Sequence, residues 1–242
     1  MTLGEAITSI RSVLVEPRRL QGWLGRFAER NGDYSLHVID GARAARGTPV
    51  AAGSDADRPG ALRIVAANGC SAVLVPPLPM EHPADAAAIT DTFIPHLLGL
   101  SAGTTVGLLL LRRGGYSVGV AKAGEVLASK TGTRYVQGRT AAGGWSQQRF
   151  ARRRANQADA LVEETAVRAA AVFAAHPPSC LQLGGDRAMA SAALGENALS
   201  RFVGLPTTPF LTVPDPRLAV LKEAARSALS VRITVTDPPA TD

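Results

Sequence analysis

Gly143-Gly144-Trp145-Ser146-Gln147-Gln148-Arg149-Phe150-Ala151-Arg152-Arg153-Arg154 is the stretch on which the reading of this chain turns. The diglycine frees the backbone for a positive φ or for close approach to a ligand. Behind it, Phe150, Ala151, Ala155, Ala158, Leu161, Val162, Thr165, Ala166, Ala169, Val172 and Phe173 recur at helical spacing. This predicts a long amphipathic helix over 146–175, capped by Ser146 and ended by His176-Pro177-Pro178. Its first turns carry Arg149, Arg152, Arg153 and Arg154. A helix start favours anions, so each exposed cation there costs roughly a few tenths of a kcal/mol. Arginines held against the dipole, beside forward-pointing amides, suit a phosphate. The alternative is an ordinary solvated charge run. The glycine loop and the paired glutamines in front of it favour the phosphate site.

Working outward, 242 residues suffice for one large domain or two small ones. Apolar residues make up 46%, and no apolar run approaches a membrane span. Met1 to Ile10 lacks the basic-then-apolar pattern of a signal peptide, so a cytoplasmic protein is expected. Cys70 and Cys180 make neither a disulfide framework nor a metal site, and both are expected as buried thiols. His37, His82, His96 and His176 show no ligand spacing; no metal and no cofactor are expected. The net charge of +6 and a pI near 10.0 point to a polyanionic partner such as nucleic acid.

In chain order, 15–30 is expected as a helix with Leu20, Trp23, Leu24 and Phe27 on one face and Trp23 in the core. A strand over 34–39 precedes a surface loop at 41–60. Strands 61–66 and 71–75 form a hairpin turning at Asn68-Gly69, stopped by Pro76-Pro77. A modest helix over 84–100 leads to a second hairpin, 104–112 with 116–122, turning at Arg113-Gly114-Gly115. A strand from 125 to 130 then enters the basic run that holds Arg134 and Arg139. After the long helix come a buried strand at 180–183, a short helix at 187–194, a helix at 217–229 and a final edge strand at 231–236. This order gives an α/β fold, a single domain with a mixed β-sheet flanked by helices. Residues 1–100 are expected in the same globular unit as a catalytic region over 100–236, with 237–242 a disordered tail.

Over about 100–230 the chain resembles the catalytic middle domain of archaeal and eukaryotic class I peptide release factors. Within that group it resembles the Vms-like release factors, ribosome-rescue peptidyl-tRNA hydrolases with an actinobacterial branch. The hairpin 106–120, the strand Glu125-Val126-Leu127 and the basic 130–139 lead-in carry the likeness. So do Gly143-Gly144, Arg149-Phe150-Ala151-Arg152, the alanine-rich helix and the 181–186 strand with its glycine turn. Release factors carry Gly-Gly-Gln; here Trp145-Ser146-Gln147-Gln148 follows the diglycine, and an ungapped alignment sets Trp145 at the glutamine position. The looser Gly-x-x-Gln of Vms-like proteins fits Gly144-Trp145-Ser146-Gln147, so Gln147 is the first choice and Gln148 the second.

The resemblance implies a peptidyl-tRNA hydrolase that frees nascent chains from stalled large ribosomal subunits. A glutamine amide donates and accepts while staying neutral, so it orients a water without deprotonating it. Gly143 and Gly144 admit the loop to a narrow channel and present an amide to the oxyanion, with Ser146 beside them. Arg149, Arg152, Arg153, Arg134 and Arg139 are expected on phosphates of ribosomal RNA or tRNA, and Trp145 on a base. A monomer without a membrane partner is expected. The alternatives are a nuclease acting near the tRNA 3′ end and a non-catalytic ribosome- or RNA-binding protein.

Overall fold

The computed structural model describes residues 10–39, 60–82, 86–133 and 145–238; for 86, 87, 90 and 145–155 it describes the helix path alone. The expected loop at 41–60 therefore lies outside the described residues apart from Gly60, as does the tail beyond Pro238. The chain divides into two compact units, residues 1–101 with 229–242, and residues 102–228.

The first unit is built on a sheet whose middle strands turn alternate residues inward. β1 (Ile10–Val15), β2 (Tyr34–Val38), β3 (Leu62–Ala66), β4 (Ser71–Val75) and β9 (Val231–Thr236) form a wholly antiparallel sheet in the order β1-β9-β4-β3-β2. The β3–β4 hairpin turns where Asn68-Gly69 predicts it. Asn68 Oδ1 accepts from the Cys70 amide at 2.9 Å and Gly69 sits at φ 85°. Helices α1 (Pro17–Asn31) and α2 (Ala86–Gly103) supply Leu20, Phe27, Ile89, Phe93 and Leu97 to its core. Three expectations change here. β1 was not foreseen, because its exposed pattern lacks alternation. β9 is not an edge strand: it pairs with both β1 and β4, so the end of the chain closes the sheet begun by its start. Trp23 is half-buried against the core rather than within it.

The second unit holds the mixed sheet. β5 (Thr105–Arg112), β6 (Gly115–Lys122), β7 (Glu125–Thr133) and β8 (Cys180–Gly185) lie in the order β7-β6-β5-β8, with β8 parallel to β5. A parallel neighbour requires a crossover, and α3 (Trp145–Ala175) supplies it. Leu161, Val162, Ala166, Ala169 and Phe173 of α3 pack with Leu109, Leu111, Val118 and Val120 on one face. The opposite face meets α5 (Leu218–Ser227), whose Leu221 Cδ2 lies 2.9 Å from where a Cβ on Gly119 would stand. α4 (Arg187–Gly195) follows β8, capped by Asp186, which accepts from the Met189 amide at 3.1 Å. Cys70 and Cys180 are both free and buried, as expected, and burial pushes the Cys180 thiol up to about 12.

Candidate functional site

One row of paired residues crosses the second sheet: Gly185, Leu111, Tyr116 and Gly132. It lies at the end where β5, β7 and β8 finish, so the connection 134–144 to α3 leaves from this rim. Tyr116 ties α3 to the row, its Oη donating to Glu164 Oε1 at 3.1 Å. Burial first, and then the hydrogen bond and charge of Glu164, raise the Tyr116 phenol, with Arg168 opposing. The ring fills the space above its cross-strand neighbour, since a Cβ on Gly132 would lie 2.5 Å from Tyr116 Cε1. Gly132→Ala is therefore expected to displace a buried ring and lower stability by about 1–3 kcal/mol. Thermal melting checks this. In a Tyr116→Ala background the same change is expected to cost far less, because the clashing atoms are gone.

α3 runs along β5 in the opposite direction. Glu164 meets Tyr116, which pairs with Leu111, while Phe173 lies over Gly107, where a Cβ would come within 3.0 Å of its Cζ. The helix rise from 164 to 173 is about 13.5 Å and the strand from 107 to 111 spans about 13.6 Å, so the two match. Ahead of Ala158, the first α3 residue packed on the core among the described side chains, the helix continues to Trp145 for about 20 Å more. The candidate site lies on that extension.

Helix α3 begins at Trp145, one residue before the expected start, so Ser146 stands inside the first turn and not at the N-cap. Trp145, Ser146, Gln147, Gln148, Arg149, Arg152 and Arg153 all fall in its first three turns. Gly143, Gly144, Arg134 and Arg139 lie outside the described residues. Five helical turns, about 18 residues, return a position to the same bearing. Positions 147 and 148 thus repeat at Thr165 and Ala166, both fully buried. Position 149 repeats at exposed Val167, 153 at exposed Ala171 and 152 at half-buried Ala170. The glutamine positions continue the stripe that becomes core, and positions 149 and 153 continue the outer face with 152 at its border. Position 154 falls near the bearing of buried Leu161, away from the other arginines.

The rim also holds basic residues that are not among those expected at the site: Arg112 at a strand end, Arg113 in a turn and Arg187 at a helix start. Arg112 Nη1 donates to the Val213 carbonyl at 2.9 Å, Arg113 is exposed beside it, and the Arg187 guanidinium stacks over Phe210 at 4.3 Å. Their signal in the sequence was Arg112-Arg113 directly before the hairpin glycines. The Tyr116–Glu164 bond had none, because nothing local links residues 48 positions apart.

Among the described residues no helix is long and apolar enough to cross a membrane. Comparison with solved structures finds an archaeal translation termination factor, aRF1, at 16% identity and TM-score 0.35, and a second structure described as an archaeal protein at 13% and 0.34. Each match covers 90% of this chain and 64% of the other, so the chain spans under two thirds of their length. Comparison with curated proteins finds no match. The family model described as "Actinobacteria/chloroflexi VLRF1 release factor" matches residues 104–234, more than half of the chain. That span takes in the whole mixed sheet, the rim and α3, and the chain belongs to the actinobacteria/chloroflexi VLRF1 release factor family.

Proposed function

We propose that this chain is a peptidyl-tRNA hydrolase that frees nascent chains from stalled large ribosomal subunits. The observation that supports this reading is that the matched region carries Gln147 and Gln148 in the first turn of α3, straight after a diglycine in the sequence. Gln147 holds the attacking water, with Gln148 as the second candidate. Water adds across the ester, leaving a free peptide carboxylate and a tRNA with an intact terminal hydroxyl. An aminoacyl ester is already activated, so the factor has mainly to place water in line with the carbonyl. An amide stays neutral and cannot act as the base, so the proton passes to the terminal ribose, as the resemblance to release factors implies.

Unpaired amides at the start of α3, with those of Gly143 and Gly144, serve the developing oxyanion. The helix dipole has the right sign for that charge. Arg149, Arg152 and Arg153 then meet ribosomal RNA or tRNA phosphates, with Arg134 and Arg139 alongside and Trp145 on a base. The rim is also the carboxyl end of the parallel pair β5 and β8, the end at which open α/β sheets usually bind ligands. The protein acts as a cytoplasmic monomer on the ribosome.

Incubation with purified large subunits carrying peptidyl-tRNA tests the reading, with end-group analysis of the released tRNA. Free peptide and an intact CCA end are expected. A clipped end would mean a nuclease, and no change would mean a binding protein. Gly144→Ala is expected to lose release while melting normally, because this reading gives the diglycine glycine-only geometry: a methyl would obstruct a narrow channel, and alanine at a positive φ costs about 1 kcal/mol. A large fall in melting temperature would instead assign the diglycine to the fold.

A further inference from the structure

The first unit has a cavity of its own, about 290 Å³, between α1 and the outer ends of β1 and β9. Its wall is aromatic. Trp23 stacks on Phe27 with ring centres 5.4 Å apart and planes 18° from parallel, and Phe27 is held edge-on by Tyr34 at 6.0 Å. Phe27 is buried and Trp23 half-buried, so the stack runs from the core toward solvent and ends at the indole. Its rim is cationic. Arg11 and Arg30 both line it, and among the described residues a single lining carboxylate, Asp237, bonds Arg11 at 2.8 Å. Arg30 spends its Nε on the Arg26 carbonyl at 3.1 Å, and among the described residues no carboxylate pairs with its remaining donors.

The side chains of Asn31 and Cys70 are occupied. Asn31 Nδ2 donates to the Phe27 carbonyl at 2.9 Å, and its Oδ1 accepts from Asn68 Nδ2 at 3.1 Å. Cys70 Sγ donates to the Thr236 carbonyl. Burial raises this thiol, with Asp237 adding and Arg11 and Arg30 opposing, so all three charges are felt at the cavity floor. What remains is a flat apolar face beside free guanidinium donors. Such a site rejects cations and offers little to sugars, which need a ring of paired donors and acceptors. Its volume, at the small end of ligand pockets, excludes a duplex. A single base stacks on an indole whatever its identity, and guanidinium forks match phosphate oxygens.

We infer that the first unit binds an unpaired RNA nucleotide in this cavity, its base stacked on Trp23 and its phosphate held by Arg30 and Arg11. The inference stands on the first unit alone and does not draw on the release reading. It gives the first unit a hold on single-stranded RNA that rests on stacking and phosphate contact, which any base can supply.

The test uses the full chain with Trp145→Phe, which leaves Trp23 as the sole tryptophan. Adenosine monophosphate is expected to quench its fluorescence, adenosine to quench more weakly and inorganic phosphate not at all. Titration calorimetry with the monophosphate is expected to show Arg30→Gln weakening affinity about tenfold, the scale of one charge-assisted hydrogen bond. Trp23→Leu is expected to abolish binding, whereas Trp23→Phe keeps a ring for stacking and retains it. A hexaadenylate is expected to bind more tightly than the monophosphate and to lose the same fraction with Arg30→Gln. Melting curves show that each variant is folded. Absence of quenching by both nucleotide probes would overturn the inference, and so would parental affinity in folded Arg30→Gln or Trp23→Leu.

Discussion

Gln147→Ala is expected to cut peptide release by about two orders of magnitude or more, the scale of losing a positioning group or an oxyanion donor. Its loss removes the amide that holds the water while leaving the activated ester and the ribosomal environment in place. The effect should therefore appear in the single-turnover rate on saturating protein, with subunit affinity unchanged. Stability should change little, because the position lies about 16.5 Å of helix before Ala158, the first α3 residue packed on the core among the described side chains. Equal activity in Gln147→Ala together with loss in Gln148→Ala would move the role one residue along. Activity surviving both changes would sink the catalytic reading altogether.

The mixed sheet was legible because its elements announce themselves locally. Glycine turns separate strands of continuous apolar residues, as in Leu108–Leu111, where burial on both faces leaves no alternation to misread. The long helix declared itself through a stripe of small residues, and its observed start differs from the expected one by a single residue. The first unit was harder to see. β1 exposes Ile10, Val13 and Leu14, so it carries no inward pattern, and its partner β9 lies at the other end of the chain. Pairing across such a separation is decided by tertiary packing, which periodicity does not report. The same holds at the site. The arginines and glutamines could be picked out as residue types, but which bearing of α3 faces outward needed the helix phase fixed by Leu161, Thr165 and Phe173. The aromatic cavity was missed for a related reason: Trp23 stands on the apolar face of α1 like any core residue, and only the structure shows its half-buried placement.

Reversing two charges, Arg152→Glu with Arg153→Glu, is expected to weaken binding to the large subunit by at least tenfold at low salt and to flatten its salt dependence. Each phosphate contact contributes nearly one unit to the slope of log affinity against log salt for duplexes, and about 0.7 for single strands. Losing both contacts should therefore remove roughly 1.4–1.8 units. Gln147→Ala should leave the affinity and the slope untouched, since position 147 lies on the opposite bearing of the same helix from 149 and 153. Arg154→Glu supplies the control. Its bearing near buried Leu161 sets it off the arginine face, so its effect should be smaller than that of either reversed neighbour. Fold loss is not expected to confound the result, because position 153 repeats at exposed Ala171 and 152 borders the same outer face. Affinities at three salt concentrations for the parent, the double reversal and Gln147→Ala decide the matter. Parental affinity in the folded double variant would return these arginines to an ordinary solvated face and leave RNA contact to Arg134, Arg139 and the rim.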